Sequence, residues 1–340
     1  MAYTTVNKSS DYFNTKLYTG TGSNQSLTGV GFQPDLIWWK CRNSAKNHGL
    51  TDAVRGNTKI IRSNENSTES TDSTYIQSFD SDGTTIGSNG NINSNGDTFC
   101  LWNWKANGAG SANTNGDIAS TVSVNTTSGF SIVSWTANGS NNATIGHGLS
   151  STPKIVLYKK LNDVDSWYVV YTFVDGTQDY LVLNDTTAKA DLASGTYGTA
   201  TSTTISNIGF PNSSSLIAYC FADVQGYSKF GKFIGNGNAD GTFVYTGFKP
   251  AFVIQKQSSA SGEYWMMKDN KRETGNQTDA NLYPNANNAE GDTNGIDLLS
   301  NGFKCRTSGA GSNASGATYI YMAFAEAPLV GSNNVPCTAR

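Results

Sequence analysis

The sequence predicts an all-β protein, built as three tandem β-sandwich, jelly-roll-like repeats of about 100 residues each. Three observations predict it. Short apolar runs rich in β-branched and aromatic residues recur along the chain, helical periodicity of useful length is missing, and one ordered set of landmarks occurs three times.

The runs are PDLIWWK (34–40), TFCLWNW (98–104), FSIVSW (130–135), KIVLYKK (154–160), WYVVYTFV (167–174), DYLVL (179–183), LIAYCFA (216–222), TFVYTGF (242–248), AFVIQK (251–256) and TYIYMAFA (318–325). Most are bounded by Gly, Asn, Ser or Pro, the signature of strands ended by turns. The best helical stretch, TTAKADLA (186–193), is too short to hold without tertiary support and is expected to be irregular.

The landmarks begin with an aromatic followed four residues later by Gly: Tyr18 and Gly22, Trp135 and Gly139, Phe233 and Gly237. A proline comes 12, 14 and 13 residues after that Gly (Pro34, Pro153, Pro250), and a lysine six residues after the proline (Lys40, Lys159, Lys256). A closing strand holds an aromatic 70, 68 and 74 residues after the proline: Trp104, Phe221 and Phe324. Trp167 and Trp265 follow their lysines by eight and nine residues, where the first copy has His48. Proline at a strand start loses no ladder bond, and Gly permits positive φ in the preceding turn. Alternation then puts Leu36, Trp38, Ile155, Leu157, Phe252 and Ile254 on one face, and Ile37, Trp39, Val156, Tyr158, Val253 and Gln255 on the other. Both faces are largely apolar, so the strand is expected inside a sandwich or at a contact between units. The expected domains are 1–105, 129–225 and 226–328, with a Gly/Ser/Asn/Thr-rich linker at 106–128 and an extended tail at 329–340.

Of the 340 residues, 14 % are charged, 37 % hydrophobic and 11 % aromatic, which favours a folded chain with a polar surface over disorder. A net charge of −3 without a Lys/Arg cluster argues against nucleic acid as a partner. No run approaches membrane-helix length, and MAYTTVNKSSDYF lacks the pattern of a signal peptide, so neither membrane insertion nor export is expected. Cys41, Cys100, Cys220, Cys305 and Cys337 are widely spaced, which suits free thiols rather than zinc or a disulfide framework.

His48 and His147 occupy non-equivalent places, and no nucleophile elbow, zinc-protease motif or phosphate loop is present, so no catalytic residue and no cofactor are expected. The carboxylates Asp80, Asp82, Asp163, Asp165 and Glu263 sit in turns, where Asp bonds its own backbone. Asp80 to Gly83 matches part of a calcium loop, but Asn91 stands where the twelfth-position Glu belongs. Trp167, Tyr168, Tyr264 and Trp265 follow polar turns and are the candidate ligand-binding residues, because sugar faces stack on such rings; the competing reading places them in the sandwich core.

The segments GFQPDLIWWKCRN, DSDGTTIGS, NGDTFCLWNWKANG, GFSIVSW, ATIGHGLSSTPKIVLYKK, IAYCFADVQGYSKFGKFIGNGNADGTFVYTGFKPAFVIQK, IDLLSNGFK and YIYMAFAEAPLVGSNNVPCTAR together resemble the β-rich repeat proteins of marine bacteriophages, cyanophages and pelagiphages included. The resemblance implies a virion component assembled in the host cytoplasm: a tail-fibre-like or tail-tip adhesin binding host surface glycans, or else a structural capsid decoration or head-fibre protein. Its expected partners are other virion proteins, a host glycan and, since phage fibres are often trimeric, further copies of itself. No site residue carries over from the family.

Overall fold

The computed structural model describes residues 4–193 and 196–327. Twelve strands form three antiparallel arrays of one design. The first joins β1 (Phe13–Thr19), β2 (Leu36–Cys41), β3 (Gly49–Asp52) and β4 (Thr98–Trp104) in the spatial order β1-β4-β2-β3. The second joins β5 (Phe130–Thr136), β6 (Ile155–Lys160), β7 (Trp167–Tyr171) and β8 (Ser215–Phe221) as β5-β8-β6-β7. The third joins β9 (Ser228–Ile234), β10 (Lys249–Gln257), β11 (Met266–Asp269) and β12 (Thr318–Ala327) as β9-β12-β10-β11. The chain is all-β, and the two α-helices of the described residues, Gly90–Asn93 and Ala310–Asn313, are single turns. No helix of the described residues is long and apolar enough to cross a membrane.

Each inner array is covered by a smaller sheet, and the two faces of its strands enter different cores. Ile37 and Trp39 pack under the sheet of Gln25–Thr28, Gly83–Ile86 and Ile76–Asp80. Val156 and Tyr158 pack under Thr144–Gly146 and Thr204–Ser206, and Val253 under the four strands from Phe243 to Cys305. The opposite faces, including Leu36, Trp38, Ile155, Leu157, Phe252 and Ile254, meet in a single core to which all three arrays contribute. At its centre Trp104, Phe221 and Phe324 touch one another, with ring centroids 6.3, 5.7 and 5.8 Å apart. Strands buried on both faces must be apolar on both, which is why these runs are continuous rather than alternating with polar residues.

The turn glycines behave as their chemistry requires. Gly22, Gly139 and Gly237 have φ of 71°, 80° and 66°, a region that L side chains rarely adopt. Pro34 and Pro153 lie just before their strands, and Pro250 sits at a register shift between β10 and β12.

Two expectations need correction. Residues 106–128 are not a linker: Ser111–Asn113 and Ser120–Asn125 extend the second array, Val122 opposing Val133 of β5. The inner faces of the units share one core, so the doubly apolar strands lie at a contact between units, one of the two places expected of them. Within 186–193, Ala190–Asp191 forms a short edge strand, paired with Asp179–Val182. The expected extended tail, with Cys337, lies outside the described residues.

Candidate functional site

The seams between units are built alike. Glu69 N donates to Leu161 O (2.9 Å), Lys189 N to Ser258 O (2.8 Å) and Glu290 N to Arg42 O (2.6 Å), joining first unit to second, second to third and third back to first. The set therefore closes on itself. Trp167 reaches across its seam, its indole Nε1 donating to Arg62 O at 2.8 Å, and Trp265 does the same to Val182 O at 3.0 Å. The backbone N–H of His48, Trp167 and Trp265 is held by the side-chain oxygen of Asn64, Asn184 and Asn285, at 2.9, 2.8 and 3.1 Å.

Buried charge reinforces two of the seams. Asp52 pairs with Arg55 (2.6 Å) and accepts the Tyr219 hydroxyl of the next unit (2.8 Å). Asp269 pairs with Arg272 (2.6 Å) and accepts Trp102 Nε1 of the first unit (3.0 Å). Burial pushes the Asp269 carboxyl upward, but the Arg272 guanidinium outweighs it and leaves the pKa below the ordinary value. Glu290 bridges Arg272 (2.7 Å) and Arg42 (2.6 Å). The landmark lysines are buried as well: Lys40 Nζ donates to Cys41 O (2.7 Å), Lys159 to Asn66 O (3.1 Å) and Lys256 to Gln257 O (2.6 Å). Burial brings each ammonium down to about 8.

One family model matches residues 8–328, described as a domain of unknown function (DUF7483). The chain belongs to the DUF7483 family. No curated protein and no solved structure is significantly similar to it. The matched span runs across all three arrays, so the DUF7483 domain is the closed assembly rather than one third of it.

Reactive groups of this DUF7483 domain are mostly enclosed. His48 is buried, accepts Trp38 Nε1 on Nδ1 (3.0 Å), and has its pKa held well below 6.5 by burial and then by Lys40. His147 accepts Leu149 N on Nδ1 (3.1 Å), which leaves Nε2 to donate to Thr201 O (3.2 Å): it ties a turn together. Cys41, Cys100, Cys220 and Cys305 are free and buried, and burial pushes Cys220 and Cys305 up to about 12.

The carboxylates singled out in the sequence are turn fasteners. Asp82 accepts Gly29 N (3.0 Å) and Gly31 N (2.6 Å), while Asp80 accepts Ser78 Oγ (2.7 Å) and Thr85 Oγ1 (2.8 Å). Asp163 pairs with Lys160 at 2.8 Å, and Asp165 accepts Ser166 N (2.8 Å). Glu263 is half-buried beside Gly311. Asp175, Asp179 and Asp191 converge with metal-like geometry, but the Lys189 ammonium already sits 2.8 Å from each.

Of the four candidate aromatics, the structure withdraws two. Trp167 and Trp265 are 0 % and 1 % exposed, so neither offers a face to a sugar. The reason is the seam: a ring placed after a polar turn lies across the neighbouring unit instead of in water. Tyr168 is half-buried against Tyr180 and Phe210, its hydroxyl donating to Asp165 Oδ1 (3.1 Å). Tyr264 is exposed and packs beside Tyr283 with ring centroids 5.2 Å apart. Sequence reasoning missed Tyr245, which is 63 % exposed on the short edge strand Phe243–Tyr245. The available signal was the alternation of TFVYTGF, in which Val244 points inward and Phe243 and Tyr245 outward.

Proposed function

We propose that this protein is a structural component of a bacteriophage particle, tail-fibre-like, that presents surface loops to glycans of the host cell. The observation that carries the reading is the cyclic set of seams around one aromatic core. Such a frame holds its loops in fixed relative positions, which suits recognition at the end of a fibre better than a set of flexibly linked modules. The exposed Tyr264 beside Tyr283, and Tyr245 on the third unit, supply surface rings of the kind that stack on sugars.

The test has two parts. Gold-labelled antibody or cryo-EM on purified particles is expected to place the protein at the tail tip, and free protein is expected to slow phage adsorption to susceptible cells. A regular lattice over the capsid would overturn the adhesin in favour of a decoration role. Absence from particles would overturn both.

A further inference from the structure

The connection between the second and third units makes a tight turn, Tyr227 N donating to Val224 O at 2.9 Å, and brings the 223–229 segment beside the edge strand Phe243–Tyr245. Between them lies a pocket of about 400 Å³, lined by Asp223, Gln225, Lys229 and Tyr245 over Gly226 and Gly247. That volume falls within the ~300–1,000 Å³ of small-molecule sites.

Each wall offers a different and unused capacity. Among the described residues, the Tyr245 ring stacks on no other ring and the Gln225 amide has no hydrogen-bond partner. Asp223 is held in place, accepting Lys229 Nζ on Oδ2 (2.6 Å) and Phe230 N on Oδ1 (2.9 Å), and its oxygens retain further lone pairs. The Lys229 side chain is 43 % exposed and has donors to spare. Gly247 has φ of 85°, and a Cβ there would lie 3.6 Å from the Tyr245 hydroxyl, so the bare glycine keeps that flank of the ring open.

We propose that this pocket binds one hexopyranose residue of an uncharged glycan. The C–H face of the sugar lies on Tyr245, and its hydroxyls, each both donor and acceptor, bond the Asp223–Lys229 pair and Gln225. An apolar ligand would cover the spare lone pairs of Asp223 and the spare donors of Lys229 without replacing their water, a cost that a sugar avoids. An anionic ligand would meet Asp223 as it approached Lys229, and the pair carries no net charge to attract it. The inference rests on the adhesin reading for its biological setting and on the pocket for its chemistry.

The probes are oligosaccharides of glucose, mannose and galactose, followed by saturation-transfer NMR and calorimetric titration of the full chain. At least one is expected to bind, with affinity falling about tenfold or more in Tyr245→Ala and in Gln225→Ala together with Asp223→Asn, and changing less than about threefold in Tyr245→Phe. Tyr245 and Gln225 are exposed, so their variants are expected to keep the wild-type circular dichroism spectrum and Tm. Lack of binding by all three sugars at millimolar concentration overturns the proposal, as does Tyr245→Ala binding like the wild type. If Tyr245→Ala still competes for adsorption while wild-type sugar binding is absent, the pocket fails and the adhesin stands. Sugar binding by a protein missing from particles gives the reverse.

Discussion

Removing the Trp265 side chain takes away a buried ring together with the indole donor that Val182 O accepts. Trp265→Ala is therefore expected to cost about 3–5 kcal/mol in urea unfolding, whereas Tyr264→Ala next to it should stay within about 1 kcal/mol. Equal costs would contradict the seam assignment. That two such neighbours differ was only half legible: the sequence marks both rings as following a polar turn, yet what Trp167 touches is Arg62, 105 residues away. The buried lysines give a second expectation. Lys40, Lys159 and Lys256 drop to about 8 and Lys268 to about 7, all because burial penalises the ammonium, while the unfolded chain keeps its lysines protonated until about 10.4. Between those values the unfolded state binds more protons, so stability rises with pH. Buried Cys220 and Cys305, raised to about 12, act oppositely, because unfolded thiols ionise near 8.5 and the native ones do not. Urea midpoints are thus expected to rise from pH 7 to about 10, the two thiols flattening the rise above about 8.5 without reversing it, because four lysines outweigh them. A steady fall from pH 7 upward would sink the account.

At the level of elements, the alternation in β2, β6 and β10 was readable because their burial is decided by nearest neighbours in the sheet. Leu36, Ile155 and Phe252 share one face, and that face lines the common core. The strand at 111–113 was not readable, since Ser, Ala and Asn there pair at the edge of the array through backbone bonds that carry no compositional signal, whereas in 120–125 the alternation of Val122 and Val124 with polar residues was a strand signal, short and set in a Gly/Ser/Asn/Thr-rich stretch. The Asp269–Arg272–Glu290 network was not readable either, since its members look like ordinary surface residues until the third unit closes on Trp102 and Arg42. Arg272 is fully buried in it, so Arg272→Ala strands the Asp269 carboxylate and is expected to cost about 3–5 kcal/mol. Replacing both, Asp269→Leu with Arg272→Met, should cost less than the single change, because no charge is left buried without a partner. A double variant less stable than Arg272→Ala would show that the pair adds net stability instead. The sign for acid follows: the pKa values of Asp269 and Glu290 lie below their ordinary ones, so their contribution is complete above about pH 4.5 and is lost as pH falls through the native values.

At the scale of the whole molecule, closure decides how the chain must fold. In a row of independent sandwiches, deleting the last would leave the others intact, but here the third unit contributes Phe252, Ile254, Met322 and Phe324 to the core that also holds Trp102, Trp104 and Phe221. A chain ending at Gln225 would bare those rings and break two seams at once. It is expected to lose near-UV circular dichroism and to bind a hydrophobic dye, as loosely packed chains do. A circular permutant tests the same property without removing a contact. The start of β1 and the end of β12 already meet, with the Phe13 and Phe324 rings 5.3 Å apart, so a linker joining the termini and a new opening at Gly108, in a loop, leave every seam in place. The permutant should unfold in one cooperative transition like the parent, with Tm lowered by no more than about 10 °C. If the chain ending at Gln225 unfolds cooperatively while the permutant fails to fold, the three arrays depend on their order along the chain rather than on their shared centre.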